Sequence, residues 1–510
     1  MIITRRSAIK ALAAAYPAVR ALPAQKNLPI EKGPFQGTRE SLQGYQVPEW
    51  FRDAKFGIWA HWGPQSAPEQ GDWYARNMYI EGHAQYKWHR EHFGPQSKVG
   101  FKDVIPTFKG EKFDPEHLMD LYHKAGAKYF VSMGVHHDNF DLWNSKHTRW
   151  NAVNMGPKKD IVGLWRQAAL KRGLKFGVSE HLWISYKWWG TSHDSDKNGE
   201  FAAVLYDGTD PKNFDLYHDL ANNYPEKFSW DDAEIPDSWK QHWFDRIKDL
   251  VDNYRPDLLY TDGALPFEEY GLSLVAHLYN TNAKRHGGRT AAVYTSKRPD
   301  DCQTGTCVLD FERGLANAIA PNPWQTDTCV GDWHYKRGIK YKTPKTVVDM
   351  LVDIVSRNGN LLLNFPLPGS GELDHDELQV LSGITDWMAI NSEGIYGTRP
   401  WKIFGDGPSV QQKGTEAFNE RHRQDLTAAD VRFTSKGKTI YAFLMGPPGA
   451  HAAVTALGSG TPTSPGGIRN VQLLGHSGKL KWTQQERALE VDLPDHVPNN
   501  LAVALKVETA

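Results

Sequence analysis

Between residues 50 and 390 the chain returns eight times to one pattern: a short, almost unbroken apolar run, mostly followed by a stretch of helical periodicity. Strands apolar on both faces must be covered on both faces. That is the condition of a parallel sheet wrapped by helices. The runs are FGIWAHW (56–62), AKYFVSMGV (127–135), LKFGVSE (174–180) and DLLYTD (257–262), then AAVYTS (291–296), TCVLDFE (306–312), WQTDTC (324–329) and NLLLNF (360–365). Helix boundaries separate them. Asp114-Pro115 opens one helix, with Leu118, Leu121, Tyr122 and Ala125 on one face and Gly126 at its end. Asp160 caps the next, which stops at Gly173. Asp237 opens a third, carrying Trp239, Trp243, Ile247 and Leu250 and ending before Pro256. Helical patterns also cover 270–285, 343–357 and 374–391, the last capped by Asp374. Eight strands with mostly helical crossovers predict an α/β fold, a (β/α)8-like barrel.

Beyond Trp401 the texture changes. VRFTSKGKTIYAFLMG (431–446) alternates around Ser435-Lys436-Gly437, the mark of a hairpin, and VQLLGH, LKWTQ, LEVDL and LAVALKV continue in that style. The expected organisation is an export signal over 1–24, a catalytic barrel over 25–395 and a C-terminal antiparallel β-sandwich over 396–510. The signal rests on Arg5-Arg6 ahead of a short apolar stretch ending at Ala21–Ala24, which resembles a twin-arginine leader and implies a periplasmic or secreted protein. No other segment has 18 uninterrupted apolar residues, so no membrane span is expected. The 59 basic and 60 acidic residues leave a net charge of −1, which argues against nucleic acid as a partner. Cys302 and Cys307 could close a small loop in an oxidising compartment, leaving Cys329 over.

In a barrel of this kind, chemistry gathers at the C-terminal ends of the strands. Those ends offer His61, His136-His137-Asp138, Glu180, Asp262 and Glu312. Two carboxylates among histidines suit glycoside hydrolysis, one attacking the anomeric carbon while the other protonates the leaving oxygen. Plainer readings stand beside each residue. Asp262-Gly263 also reads as a turn, Glu312-Arg313 as a surface ion pair, and His61, between Trp59 and Trp62, as a core histidine. The paired histidines lack a zincin-type third ligand, so neither metal nor organic cofactor is expected; neutral imidazoles can both donate to and accept from sugar hydroxyls. Glu180-His181 rivals Glu312 for the acid.

WFRDAKFGIWAHWGPQSAP (50–68) and DWYARNMY (72–79) resemble signatures of the α-L-fucosidases of glycoside hydrolase family 29. MGVHHDNFDLWNSKHTRWN (133–151), RPDLLYTDG (255–263), RNGNLLLNFPLPGSGEL (357–373) and NSEGIYGTRPW (391–401) extend the resemblance, in the family's order. It implies a barrel followed by a β-sandwich, and an exo-acting, retaining double displacement on a fucosylated glycan. Asp262 matches the nucleophile by motif. His61, Trp73, His136 and His137 are implied to line the fucose subsite, with Asp72 where Glu is common and Tyr260 where Trp is common. Glu312 is placed as acid/base because it ends a strand after the nucleophile strand; Glu180 and Glu268 are the fallbacks. Val178-Ser179-Glu180-His181 replaces a Tyr-Tyr-Ser type strand end, so Glu180 is also a candidate hydroxyl contact. The same scaffold would serve an L-galactosidase, a D-arabinosidase, a transfucosylase or, without turnover, a carbohydrate-binding protein. Fourteen of 19 tryptophans precede Asp262. Trp165, Trp239 and Trp243 fit helix cores; Trp73, Trp183 and Trp188-Trp189 are expected to stack on sugar.

Overall fold

The computed structural model describes residues 28–220, 230, 232, 234–302, 305–411 and 417–510. The export signal expected over 1–24 lies outside the described residues. Each of the eight apolar runs is a strand: β1 (Phe56–Ala60), β2 (Tyr129–Val135), β3 (Lys175–Glu180), β4 (Leu258–Thr261), β5 (Val293–Ser296), β6 (Val308–Glu312), β7 (Trp324–Cys329) and β8 (Gly359–Asn364). They pair in parallel in chain order, and β8 returns to β1 with Phe56 opposite Leu361, closing the barrel. Pleat alternation sends Trp59, Val131, Leu258, Tyr260, Val293 and Leu362 into one buried cluster, separate from the larger one shared with the helices.

The capping carboxylates act as their sequence positions require. Asp114 accepts from His117 N, Asp160 from Gly163 N, and Asp374 forms a reciprocal box with Glu377. Helices Pro115–Lys124, Ile161–Lys171, Asp237–Tyr254, Glu269–Arg285 and Pro344–Ser356 follow β1, β2, β3, β4 and β7, and His375–Asn391 follows β8. Two crossovers depart from the repeat. Among the described residues, the β5–β6 crossover holds only the four-residue turn of helix Pro299–Cys302, and the β6–β7 crossover no helix. Cys302 and Cys307 are joined by a disulfide in the first of these gaps.

The C-terminal unit is a two-sheet antiparallel sandwich. β9 (Arg399–Asp406), β10 (Val431–Lys436), β11 (Thr439–Leu444), β13 (Ile468–Leu473) and β16 (Val503–Thr509) form the larger sheet, in the order β13-β16-β11-β10-β9. β12 (His451–Val454), β14 (Trp482–Gln484) and β15 (Leu489–Asp492) form the smaller. Phe433 and Leu505 from one sheet meet Val454 and Val491 from the other in a common core. The β10–β11 hairpin turns at Gly437, whose φ of 60° suits a residue without Cβ.

The β9–β10 connection of the sandwich reaches back onto the barrel where helices are missing. Phe418 N donates to Glu312 O (2.9 Å) and Glu420 N to Arg313 O (3.0 Å), extending the end of β6. The Glu420 carboxylate accepts from Thr328 Oγ1 (2.6 Å) and pairs with Lys342 Nζ (2.5 Å). Deeper in the same junction, Asp353 of the helix Pro344–Ser356 is buried among Arg357 (3.1 Å), Arg432 of β10 (2.5 Å) and Arg423 (3.7 Å). Burial acts to raise its pKa, but the three guanidiniums hold it below the usual aspartate value. Asp353→Ala leaves those cations uncompensated, and a loss of about 3–5 kcal/mol of stability is expected. Urea unfolding checks this; a change under about 1 kcal/mol would contradict it. The contribution is complete above the unfolded aspartate pKa and is lost as pH falls through the depressed folded value. Among the described residues no helix is long and apolar enough to cross a membrane.

Candidate active site

The strand ends converge on a cavity of about 460 Å³. His61, Asp72, Trp73, His136, His137, Tyr260, Asp262 and Glu312, all expected from sequence, line it. So do Trp59, His181, Trp183, Lys297, Asp327 and Trp333.

Asp262 follows β4, and the next residue shapes its presentation. Gly263 has φ of 106°, and a Cβ there would lie 3.1 Å from the Trp183 ring. Trp183 Nε1 donates to Asp262 O at 2.5 Å. The turn reading of Asp-Gly is therefore correct but incomplete, because the turn aims a carboxylate. Oδ1 of Asp262 meets Lys297 Nζ at 2.9 Å, while Oδ2 faces His181 Nδ1 (3.3 Å) and His137 Nε2 (3.4 Å). Burial favours the neutral acid, yet Lys297 and the two imidazoles hold Asp262 well below the usual carboxylate range.

Lys297 stands one residue beyond β5, its backbone N–H bonded to Gly263 O (2.8 Å). Its ammonium contacts Glu312 Oε2 as well as Asp262, and Asp327 Oδ2 at 3.5 Å. Burial acts to lower the lysine's pKa, but the three carboxylates hold it well above the ordinary value. One ammonium touching both Asp262 and Glu312 keeps their facing oxygens closer than about 5.5 Å. Glu312 is shifted the other way from Asp262. Burial raises its pKa, and Asp327 and Asp262 add to that against the pull of Lys297. Asp327 also accepts from Tyr260 OH at 2.7 Å, so Tyr260 flanks the cluster from beneath.

The opposite wall is imidazole and indole. Gln65 Oε1 accepts from Ala75 N (3.3 Å), which orients the amide so that Nε2 donates to His136 Nδ1 at 2.9 Å. The Nε2 proton of His136 then faces Asp72 Oδ1, 4.0 Å away. Asp72 is held from behind by His334 Nδ1 at 2.6 Å. His137 Nδ1 donates to His181 O (2.6 Å), leaving Nε2 toward Asp262. The loop carrying this pair is locked by Arg246, which is buried and bonds both Asp141 oxygens and Asn139 Oδ1 (2.6 Å). Burial pushes His61 and His136 well below the ordinary histidine value, which keeps them neutral. Trp73 sits in the left-handed region (φ 59°), a strained placement that brings its ring edge-on to His137 at 5.9 Å.

Several expectations need correction. Glu180 does not reach the cavity. Alternation along β3 turns it outward, where Trp243 Nε1 (3.1 Å) and Leu182 N (3.0 Å) donate to it, and His181 takes the inward position. Burial raises its pKa to about 7, but it lies behind the cavity lining, out of reach of a ligand. Glu268 is exposed and paired with Arg39 (3.0 Å). Asp138 is buried behind its histidine neighbours and caps Phe140 N (3.3 Å). Trp188 and Trp189 are fully buried core rings, not sugar platforms, whereas Trp165, Trp239 and Trp243 pack as expected.

Among the described residues, three overlapping groups bring donor atoms within 4.8 Å of one another: His61/His136/His181, Asp72/His136/His334 and His137/His181/Asp262. Their donors are the same atoms that face the cavity. A soft divalent cation would therefore compete with a polyhydroxy ligand.

Two carboxylates whose proton affinities are pushed apart, among histidines and indoles at a barrel mouth, are the kind of pair that glycoside hydrolases use. The chain belongs to the alpha-L-fucosidase family, whose profile matches residues 22–393, with the alpha-L-fucosidase C-terminal domain matching 423–508. It is similar to the human plasma alpha-L-fucosidase, 29% identical over 90% of this chain and 88% of that one. The tissue alpha-L-fucosidase of Macaca fascicularis is 27% identical, over 90% and 87%. The Thermotoga maritima alpha-fucosidase, solved in complex with fucose, shares the fold with a TM-score of 0.70 at 24% identity, over 92% of this chain and 99% of that one. The enzyme is thus a hydrolase of fucosyl linkages.

Proposed function

We propose that this enzyme removes terminal α-L-fucosyl residues with net retention, Asp262 acting as nucleophile and Glu312 as general acid and base. The observation that carries this is the single Lys297 ammonium in contact with two carboxylates whose proton affinities diverge. Asp262, held ionised, attacks the anomeric carbon as Glu312 gives its proton to the leaving oxygen. A covalent fucosyl-enzyme forms. Glu312, now a carboxylate, takes a proton from water, which attacks the same face that the aglycone left. His61, Asp72, Trp73, His136, His137 and His181 bind the fucose hydroxyls and ring. NMR of the first-formed anomer tests the proposal: α-L-fucose supports it, β-L-fucose refutes it.

The pH dependence has a defined sign. Turnover needs Asp262 ionised and Glu312 protonated, so kcat/KM falls at low pH as the depressed group protonates. It falls at high pH as the raised group ionises. Because the two share Lys297, the limbs report the pair. Glu312→Gln should abolish the alkaline limb measured with an activated aryl fucoside.

No metal enters this chemistry. Dialysis against EDTA should leave turnover unchanged, while added Zn²⁺ should inhibit competitively with fucose through the histidine groups. Loss of activity in EDTA restored by a cation would contradict the reading. Export by the 1–24 signal belongs to the same proposal; the Cys302–Cys307 disulfide supports it, since such bonds persist in oxidising compartments.

A further inference from the structure

Among the described residues only two aromatic side chains are exposed, Trp230 (46%) and Phe418 (57%), and both line the active-site cavity. Isolated exposed apolar residues need no account, but two large rings at the mouth of one polar cavity do. They belong to different sides. Trp230 continues the aromatic wall of the sugar site, 5.9 Å from Trp73, 6.3 Å from Trp183 and 5.7 Å from His137. Phe418 comes from the β9–β10 loop of the sandwich, and its backbone N–H is bonded to the carbonyl of Glu312 itself.

That bond fixes where Phe418 acts. The aglycone leaves toward the group that protonates it, so a ring anchored to the backbone of Glu312 stands beside the departing sugar, not beside fucose. Its anchor is rigid, because Glu420, two residues on, is clamped by Thr328 and Lys342. We propose that Phe418 forms an aglycone subsite that stacks on the apolar face of a pyranose, so that the preferred substrates are fucosylated oligosaccharides rather than fucosides of small alcohols. The inference rests on the fucosidase reading above. Stacking of this kind acts in the ground state and transition state alike, so it appears chiefly in KM.

The test compares two substrates that both expel an alcohol and differ in what that alcohol offers for stacking. Methyl α-L-fucoside has no second ring to stack; an α-L-fucosyl-galactose disaccharide has one. Phe418→Ala should lower kcat/KM on the disaccharide by about tenfold, mainly through KM, and leave the methyl fucoside within about twofold. Phe418→Trp should restore the disaccharide activity. An unchanged disaccharide rate, or an equal loss on both substrates, overturns the subsite. If the wild type cleaves neither substrate, the fucosidase reading itself fails and the subsite with it.

Discussion

Asp262→Ala should lower kcat on aryl α-L-fucosides by about 10⁴-fold or more, equivalent to about 5.5 kcal/mol of transition-state stabilisation. The size follows from what is lost. The alanine variant keeps the cavity but has no atom to bond the anomeric carbon, and a water in its place lacks the fixed approach. The variant also leaves Lys297 with an unmatched contact, since Asp262 is one of the three carboxylates around it. Fold damage is separable from lost chemistry by azide. Azide entering the vacated space should restore turnover and give β-L-fucosyl azide, the inverted product. Retention of more than about a tenth of the wild-type rate would remove Asp262 from its role.

Glu312→Ala should behave differently with different leaving groups. With a saccharide aglycone, which needs a proton to leave, kcat/KM should fall by about 10²–10⁴-fold. With a dinitrophenyl or fluoride leaving group the first step needs little assistance, so the fucosyl-enzyme should accumulate and turnover stall at its hydrolysis. Azide attacks that intermediate without a base and should give α-L-fucosyl azide, of retained configuration. An equal loss on all leaving groups, with no azide product, would dismiss Glu312 as the acid/base.

The barrel was legible because its physics is local. Parallel strands covered on both faces are mostly apolar, so apolar runs mark the strands; Trp324–Cys329, buried throughout yet polar at Gln325, Thr326, Asp327 and Thr328, is the exception to that rule. Helix starts were legible where a carboxylate precedes them, at Asp114, Asp160 and Asp374. Strands β9 and β12 were not. β9 is half-buried with a register shift against β10, and β12 has only four residues, so neither shows clean alternation.

The strand-end rule located Asp262, Glu312 and the histidines of β1 and β2. It also named Glu180, which does end β3; but side chains alternate at a strand end, and the next residue, His181, takes the inward side. Lys297 was within reach of the same rule, lying just past β5, but a rule tuned to acids and histidines passes over a lysine. Asp327 sits inside a strand, and its role depends on three neighbours from β4, β5 and β6. His334, Trp230 and Phe418 occupy loops, where no periodicity constrains placement. The tryptophan pair at 188–189 illustrates the converse: composition flagged it, and packing absorbed it.

The β9–β10 loop that reaches the barrel bears on how such chains can be cut and recombined. The barrel residues up to 395 contain every group assigned to bond making and breaking, yet the β6 end is completed by Phe418 and Glu420 from outside that span. A fragment stopped at 395 would therefore keep its nucleophile and lose the backbone that steadies its proton donor. By the same token, an exchange of C-terminal modules between relatives carries the leaving-group rim along with it. Selectivity for what fucose is attached to would travel with the sandwich, while selectivity for fucose would stay with the barrel.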